Sequence, residues 1–134
     1  MKHGALSGTT VIDLTRVLAG PYASMLFADM GANIIKVEVP KKGDDSRGYS
    51  PSYEGESAYF VNLNRNKRSI TLNLKSDKGK DLLREMIKKA DILLENFRPG
   101  TMEKLGLGYE DMKKINPRLV YGCVSGFGHY GPYK

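Results

Sequence analysis

Thr10-Val-Ile-Asp-Leu-Thr-Arg-Val-Leu-Ala-Gly-Pro-Tyr22 turns a short apolar strand into a helix through a tight loop. Val11, Ile12 and Leu14 read as a buried strand, Gly20 can cap the helix, and Pro21 suits a first turn whose N–H groups have no intrahelical partner. The stretch holds no nucleophile-and-base pair, metal-ligand cluster or Gly-x-Gly-x-x-Gly, so it is expected to hold a ligand rather than to react with one. Met25, Leu26 and Met30 continue the helix to Gly31, a candidate for its C-terminal end, and Ile34-Ile-Lys-Val-Glu-Val39 reads as a second strand. Residues 10–39 thus form one strand–helix–strand unit, and the alternation argues for a parallel sheet.

Outward from this unit the same alternation continues. Pro40 to Ser57 is polar and rich in Gly, Ser, Pro and Asp, the composition of a long surface loop. Ser69-Ile-Thr-Leu-Asn-Leu74 reads as a third strand. Ser76 caps a predicted helix from Asp77 to about Ala90, with Leu82, Leu83, Met86, Ile87 and Ala90 on one face and Lys88 and Lys89 at its negative end. Ile92-Leu-Leu94 is a fourth strand. Short helices are expected near Met102 to Leu105 and Tyr109 to Ile115, and Leu119 to Val124 is a fifth strand. The fold class is therefore α/β, with no internal repeat.

The 134 residues suffice for one compact domain or part of a larger one, and 40% apolar with 27% charged residues describes a globular protein. No segment reads as a signal peptide or membrane span, so a cytoplasmic location is expected. With one cysteine, Cys123, neither an internal disulfide nor a zinc site is expected, and its strand setting suggests a buried structural thiol. The net charge of +6, from 21 basic and 15 acidic residues, favours anionic partners without choosing among them.

Gly126-x-Gly128-x-x-Gly131 follows a strand, yet Pro132 replaces the helix that a dinucleotide fingerprint requires, so the motif reads as a turn. The basic run Asn64-Arg-Asn-Lys-Arg68 suits nucleic-acid phosphate, a phosphorylated small molecule or water alone. No nucleic-acid module accompanies it, and nucleic acid is not expected as a partner. Asp13, Glu38 and Glu95 fall at strand ends, where a structural role is the expectation. His3 and His129 belong to no recognisable Ser, Cys or metal-ligand constellation, and no catalytic or metal-binding residue is assigned.

Seven segments taken together carry a resemblance: Asp13-Leu-Thr-Arg-Val-Leu-Ala-Gly-Pro-Tyr22, Gly31-Ala-Asn-Ile-Ile-Lys-Val-Glu38, Gly43-Asp-Asp-Ser-Arg47, Asn64-Arg-Asn-Lys-Arg-Ser-Ile70, Glu95-Asn-Phe-Arg-Pro-Gly100, Asn116-Pro-Arg-Leu119 and Ser125-Gly-Phe-Gly128. In order and spacing the chain resembles the N-terminal part of the class III coenzyme A transferases (the CaiB/BaiF family), which include formyl-CoA and carnitine-linked transferases and, on the same scaffold, alpha-methylacyl-CoA racemases. The resemblance implies a Rossmann-like parallel sheet with helices on both faces, an incomplete portion of a larger domain over residues 1–134, in a full-length protein that forms an interlinked homodimer. It further implies an acyl-CoA and a carboxylic acid as substrates, no permanently bound cofactor, no membrane, and an acyl-aspartyl anhydride as intermediate. The aspartate of that chemistry follows a Gly-Pro-Tyr like Gly131-Pro-Tyr133 in the relatives, outside this chain, so the 134 residues alone are expected to be inactive. Racemisation of a 2-methylacyl-CoA and a non-catalytic CoA- or nucleotide-binding role stand as alternatives.

Carried over by position, Val17, Leu18 and Ala19 would line the CoA site, Leu72, Asn73, Leu74 and Lys75 would support its nucleotide end, and Asn96, Phe97, Arg98 and Lys104 would form a second contacting turn. After Glu38, where some relatives carry an arginine, this chain has Val39.

Overall fold

The computed structural model describes residues 4–134; His3 lies outside them. Its elements run β1 (Thr10–Asp13), α1 (Ala19–Asp29), β2 (Asn33–Glu38), a 3-10 turn (Asp45–Gly48), β3 (Ser52–Tyr53), β4 (Glu56–Ser57), α2 (Ala58–Asn64), β5 (Lys67–Thr71), α3 (Asp77–Ile87), β6 (Ile92–Glu95), α4 (Thr101–Lys104), α5 (Tyr109–Ile115) and β7 (Val120–Cys123). Five strands form one sheet in the order β5-β2-β1-β6-β7, and every pairing in it is parallel. The small β3–β4 pair is antiparallel and separate.

Alternation along the central strands explains the two covered faces. Ile12, Leu14 and Leu93 pack with Leu83, Ile87, Met102, Leu107 and Met112 from α3, α4, α5 and their connections. Their neighbours Val11, Ile34 and Leu94 point the other way, onto Ala28 of α1, Ala32 and Phe27. The chain is thus an α/β sheet with helices on both faces, as expected. No helix among the described residues is long and apolar enough to cross a membrane.

Several boundaries differ from the sequence expectation. Helix α1 begins at Ala19 with Leu18 in the capping position, not Gly20, and no side chain caps it. Pro21 costs nothing there because the first four N–H groups of a helix have no partner within it. Gly20 serves close packing instead: a Cβ on it would lie 2.3 Å from the Thr15 Cβ. The expected C-terminal glycine holds, since Gly31 has a positive φ of 97° immediately after Met30.

The third strand spans Lys67–Thr71 rather than 69–74. Lys67 and Arg68 carry no apolar signal, yet the register pairs them with Ile34 and Ile35. At an edge strand such charges are tolerated because they find partners beside the sheet, Arg68 with the Asn33 side chain at 2.8 Å. Leu72 still donates its N–H to the Glu38 carbonyl at 3.0 Å before the chain turns away. Nor is residues 40–57 a plain surface loop, because Asp44, Ser46 and Ser57 are buried in it.

Candidate functional site

Omitting the β3–β4 hairpin, strand order reverses between β1 and β6, and the loops leaving the C-terminal ends of β1 and β6 diverge there. In an open parallel sheet that divergence opens a crevice for ligands. A cleft of about 470 Å³ occupies this edge. Its wall comes from the segment after β1 (Leu14, Thr15, Arg16), the end of β2 (Lys36 to Val39), the following loop (Lys42, Gly43, Asp44), the segment after β5 (Leu72 to Lys75), and Phe97, Thr101 and Leu105. The lining is mostly apolar with exposed cations at Lys42 and Lys75 and the half-buried Arg16, whose guanidinium carbon stands 5.2 Å from the centre of the Phe97 ring.

Buried charge shapes the cleft from below. Lys36, 1% exposed, donates to the Thr15 carbonyl at 2.9 Å and pairs with Asp44 at 2.8 Å. The other Asp44 oxygen accepts the backbone N–H groups of Ser46 at 2.9 Å and Val17 at 3.2 Å. Burial pushes the Asp44 carboxyl up, but Lys36 and the Ser46 hydrogen bonds outweigh it and hold the pKa below the usual carboxylate range. On the far side of the loop the Asn96 amide accepts the Arg16 N–H and donates to the Arg16 carbonyl, both at 2.8 Å. Val17 between these clamps has φ 68°, a conformation that a β-branched residue adopts only when its surroundings impose it.

Glu38 organises the loop at the end of β2. Its carboxylate accepts the Arg47 guanidinium at 2.7 and 2.8 Å, the Ser69 hydroxyl at 2.5 Å and the Asp44 N–H at 2.8 Å. Burial works against ionisation here, and these donors still lower its pKa to about 2. Gly43 makes the close return possible: it has φ 69°, and a Cβ on it would meet Arg47 and Glu38 at 2.8 Å.

The basic run resolves into structural partners rather than a phosphate site. Lys67, with a side chain 1% exposed, reaches Asp13 at 3.1 Å, the Pro21 carbonyl at 3.0 Å and Asn64 at 3.0 Å, and its burial lowers its pKa despite Asp13. Arg65 pairs with Asp29 at 2.6 Å. Asp13 also accepts the Thr15 hydroxyl and the Ser24 hydroxyl, so the loop after β1 is tied to its own strand and to α1. The structural role expected for Asp13 and Glu38 is therefore what the geometry gives.

Of the residues singled out in the sequence, Leu72, Asn73, Leu74, Lys75 and Phe97 come together in the cleft wall. Asn96 positions the Arg16 backbone. Val17, Leu18 and Ala19 lie at the loop and helix start, outside the lining, with Leu18 exposed, and Arg98 and Lys104 are exposed beyond it. Sequence reasoning missed Arg16, Lys42, Gly43, Lys36 and Asp44, although Lys42-Gly-Asp-Asp45 in a loop after a strand carried a usable signal.

Two expectations about the other end of the sheet are corrected. Cys123 is exposed rather than buried, because it ends β7, the edge strand of the sheet among the described residues. His129, expected to belong to no constellation, is brought by the turn after β7 to a place where one of its ring nitrogens, the Cys123 sulfur and a Glu95 carboxylate oxygen lie within 4.8 Å of one another.

A profile of CoA-transferase family III matches residues 6–134. Acetyl-CoA:oxalate CoA-transferase of Acetobacter aceti is 51% identical over 129 residues, covering 96% of this chain and 33% of its own length. Human succinyl-CoA:glutarate CoA-transferase is 46% identical over 128 residues, which cover 95% of this chain and 29% of that protein. Among solved structures, a CAIB/BAIF family protein from Brucella suis superposes with a TM-score of 0.92 at 44% identity, over 98% of this chain and 36% of that one. The chain thus spans about a third of the length of the relatives it matches.

Proposed function

The chain belongs to CoA-transferase family III, and from that premise we propose that it supplies the CoA-holding wall of an acyl-CoA:carboxylate CoA-transferase. The observation that carries the reading is the cleft at the strand-order reversal, where an apolar wall of Leu14, Val37, Leu72, Leu74, Phe97 and Leu105 is bordered by Arg16, Lys42 and Lys75. An apolar wall suits the pantetheine arm and the adenine face, and flanking cations suit phosphates. The names of both transferase relatives pair an acyl-CoA with a dicarboxylate, which supports a small carboxylic acid as the second substrate.

The reaction proceeds by attack of an aspartate carboxylate on the thioester carbonyl, which breaks the C–S bond and gives an acyl-aspartyl anhydride and CoA thiolate; the thiolate attacks the aspartyl carbonyl and releases the donor carboxylate, and the acceptor carboxylate then runs the same two attacks in reverse, which gives its CoA thioester and frees the aspartate. Covalent catalysis of this kind divides one difficult exchange into easier attacks. On this reading the nucleophile lies outside these residues, and the buried carboxylates act as anchors: Asp13 and Asp44 are held by Lys67 and Lys36, and Glu38 by Arg47. The role of this part of the protein is to bind and orient. Lys36, Asp44 and Asn96 fix the Thr15–Val17 backbone so that the wall exists before the ligand arrives, which lowers the ordering cost of binding.

Calorimetric titration of the complete protein with CoA tests the reading. Lys42→Ala and Lys75→Ala are each expected to weaken binding about tenfold, the loss of one charge-assisted contact of roughly 1.4 kcal/mol. Absence of binding at millimolar CoA overturns the assignment. Solvent deuterium entering the alpha carbon of a 2-methylacyl-CoA with no acceptor acid present overturns transfer as the reaction.

A further inference from the structure

We infer that Glu95, Cys123 and His129 form a binding site for one divalent cation of the zinc class, at the C-terminal end of the β6–β7 pair. The site is assembled by pairing: Glu95 ends β6, Cys123 ends β7, and the parallel register sets the two directly opposite each other. The segment after β7 then folds back, with Gly128 at φ 85° and its N–H bonded to the Ser125 hydroxyl at 2.9 Å, and delivers His129. The three donor atoms all lie within 4.8 Å of one another. Ligands of a tetrahedral zinc ion stand roughly 3.5 Å apart, so closure requires a movement of about 1 Å, which the exposed turn carrying His129 can supply.

The charge balance asks for a cation at this point. Glu95 is 2% exposed, and among the described residues no lysine, arginine or histidine forms an ion pair with it. One of its oxygens accepts the Phe97 N–H at 2.8 Å, which leaves the second free to face the thiol. A buried carboxylate without a counter-ion is costly, and buried charges are normally paired or bound to metal. His129 supplies an independent observation: its Nε2 is buried and has no hydrogen-bond partner. An imidazole nitrogen, a sulfur and a carboxylate oxygen are the donor types that zinc takes, whereas magnesium and calcium take oxygen alone. On binding, the Cys123 thiol releases its proton to solvent and the sulfur becomes a thiolate ligand. Three protein ligands leave a fourth position for water.

Cobalt(II) is the probe, added to the complete, tag-free protein without CoA. The expected result is a one-to-one complex with intense visible bands of a four-coordinate ion and a near-ultraviolet thiolate-to-cobalt band, both removed by zinc. Cys123→Ser is expected to abolish the thiolate band, and His129→Gln to weaken binding at least tenfold. His129 lies in an exposed turn, so the second variant tests the site without threatening the fold. Absence of the bands at millimolar cobalt overturns the inference, as does a spectrum that survives Cys123→Ser or an affinity unchanged by His129→Gln. The CoA titration is read separately, so either result stands without the other.

Discussion

Replacing Glu38 by Gln tests whether the loop bordering the cleft is held by an ionised carboxylate. In the wild type four donors converge on that group, from Arg47 twice, Ser69 and Asp44, and its pKa falls from 4.5 to about 2. At about 1.4 kcal/mol for each tenfold change in proton affinity, the ionised form contributes at most about 3 kcal/mol to stability. The Arg47 side chain is 39% exposed, and solvent there reduces the figure to about 2 kcal/mol. The folded-state pKa is depressed, so this contribution is complete above the unfolded value near 4.5 and disappears as pH falls toward 2. Urea denaturation followed by circular dichroism at several pH values should therefore show Glu38→Gln about 2 kcal/mol less stable near neutrality, with the gap to wild type closing as the pH drops below about 4.5. A gap that stays constant down to about pH 3, or no gap at neutrality, refutes the argument that ionisation of Glu38 holds the loop.

Gly20→Ala would place its Cβ 2.3 Å from the buried Thr15 Cβ. Overpacking of roughly 1–3 kcal/mol is expected to exceed the gain of about 1 kcal/mol from better helix propensity, and a variant that melts above wild type contradicts this. Lys67→Met strands Asp13, itself 0% exposed, beside the Thr15 N–H and two hydroxyls without its cation. A loss of about 3 kcal/mol in chemical denaturation is expected, and a loss below about 1 kcal/mol would show that these neutral donors suffice to hold that charge.

Much of the fold was legible because strand and helix leave different periodicities. Val11, Ile12 and Leu14, then Ile34, Ile35 and Val37, and Ile92 to Leu94 place apolar residues on both faces, as strands covered by helices must, and Leu82, Leu83, Met86 and Ile87 recur with helical spacing. β5 was placed two residues late because Lys67 and Arg68 have no apolar signature. Their partners, Asp13 and Asn33, are remote in sequence. The same reason hid the basic run's role: a lysine looks solvated until a distant carboxylate is brought under it. Leu72 to Lys75 and Phe97 were visible through family likeness, whereas the pairing of Lys36 with Asp44 was not, since an ion pair across a strand and a loop leaves no local pattern.

By itself the sequence determined the α/β alternation, the parallel sheet and the membership that the segments from Asp13 to Gly128 announce. These are properties of short windows, set by side-chain periodicity and turn chemistry. Packing between segments remote in sequence selects which charges are buried together and which face the cleft. It also decides that Glu95, Cys123 and His129 share one corner, because strand register and the turn after β7 bring together residues that sequence keeps apart. Burial alters the energy of a charge far more than its neighbours in the chain do, and burial is a property of the folded whole.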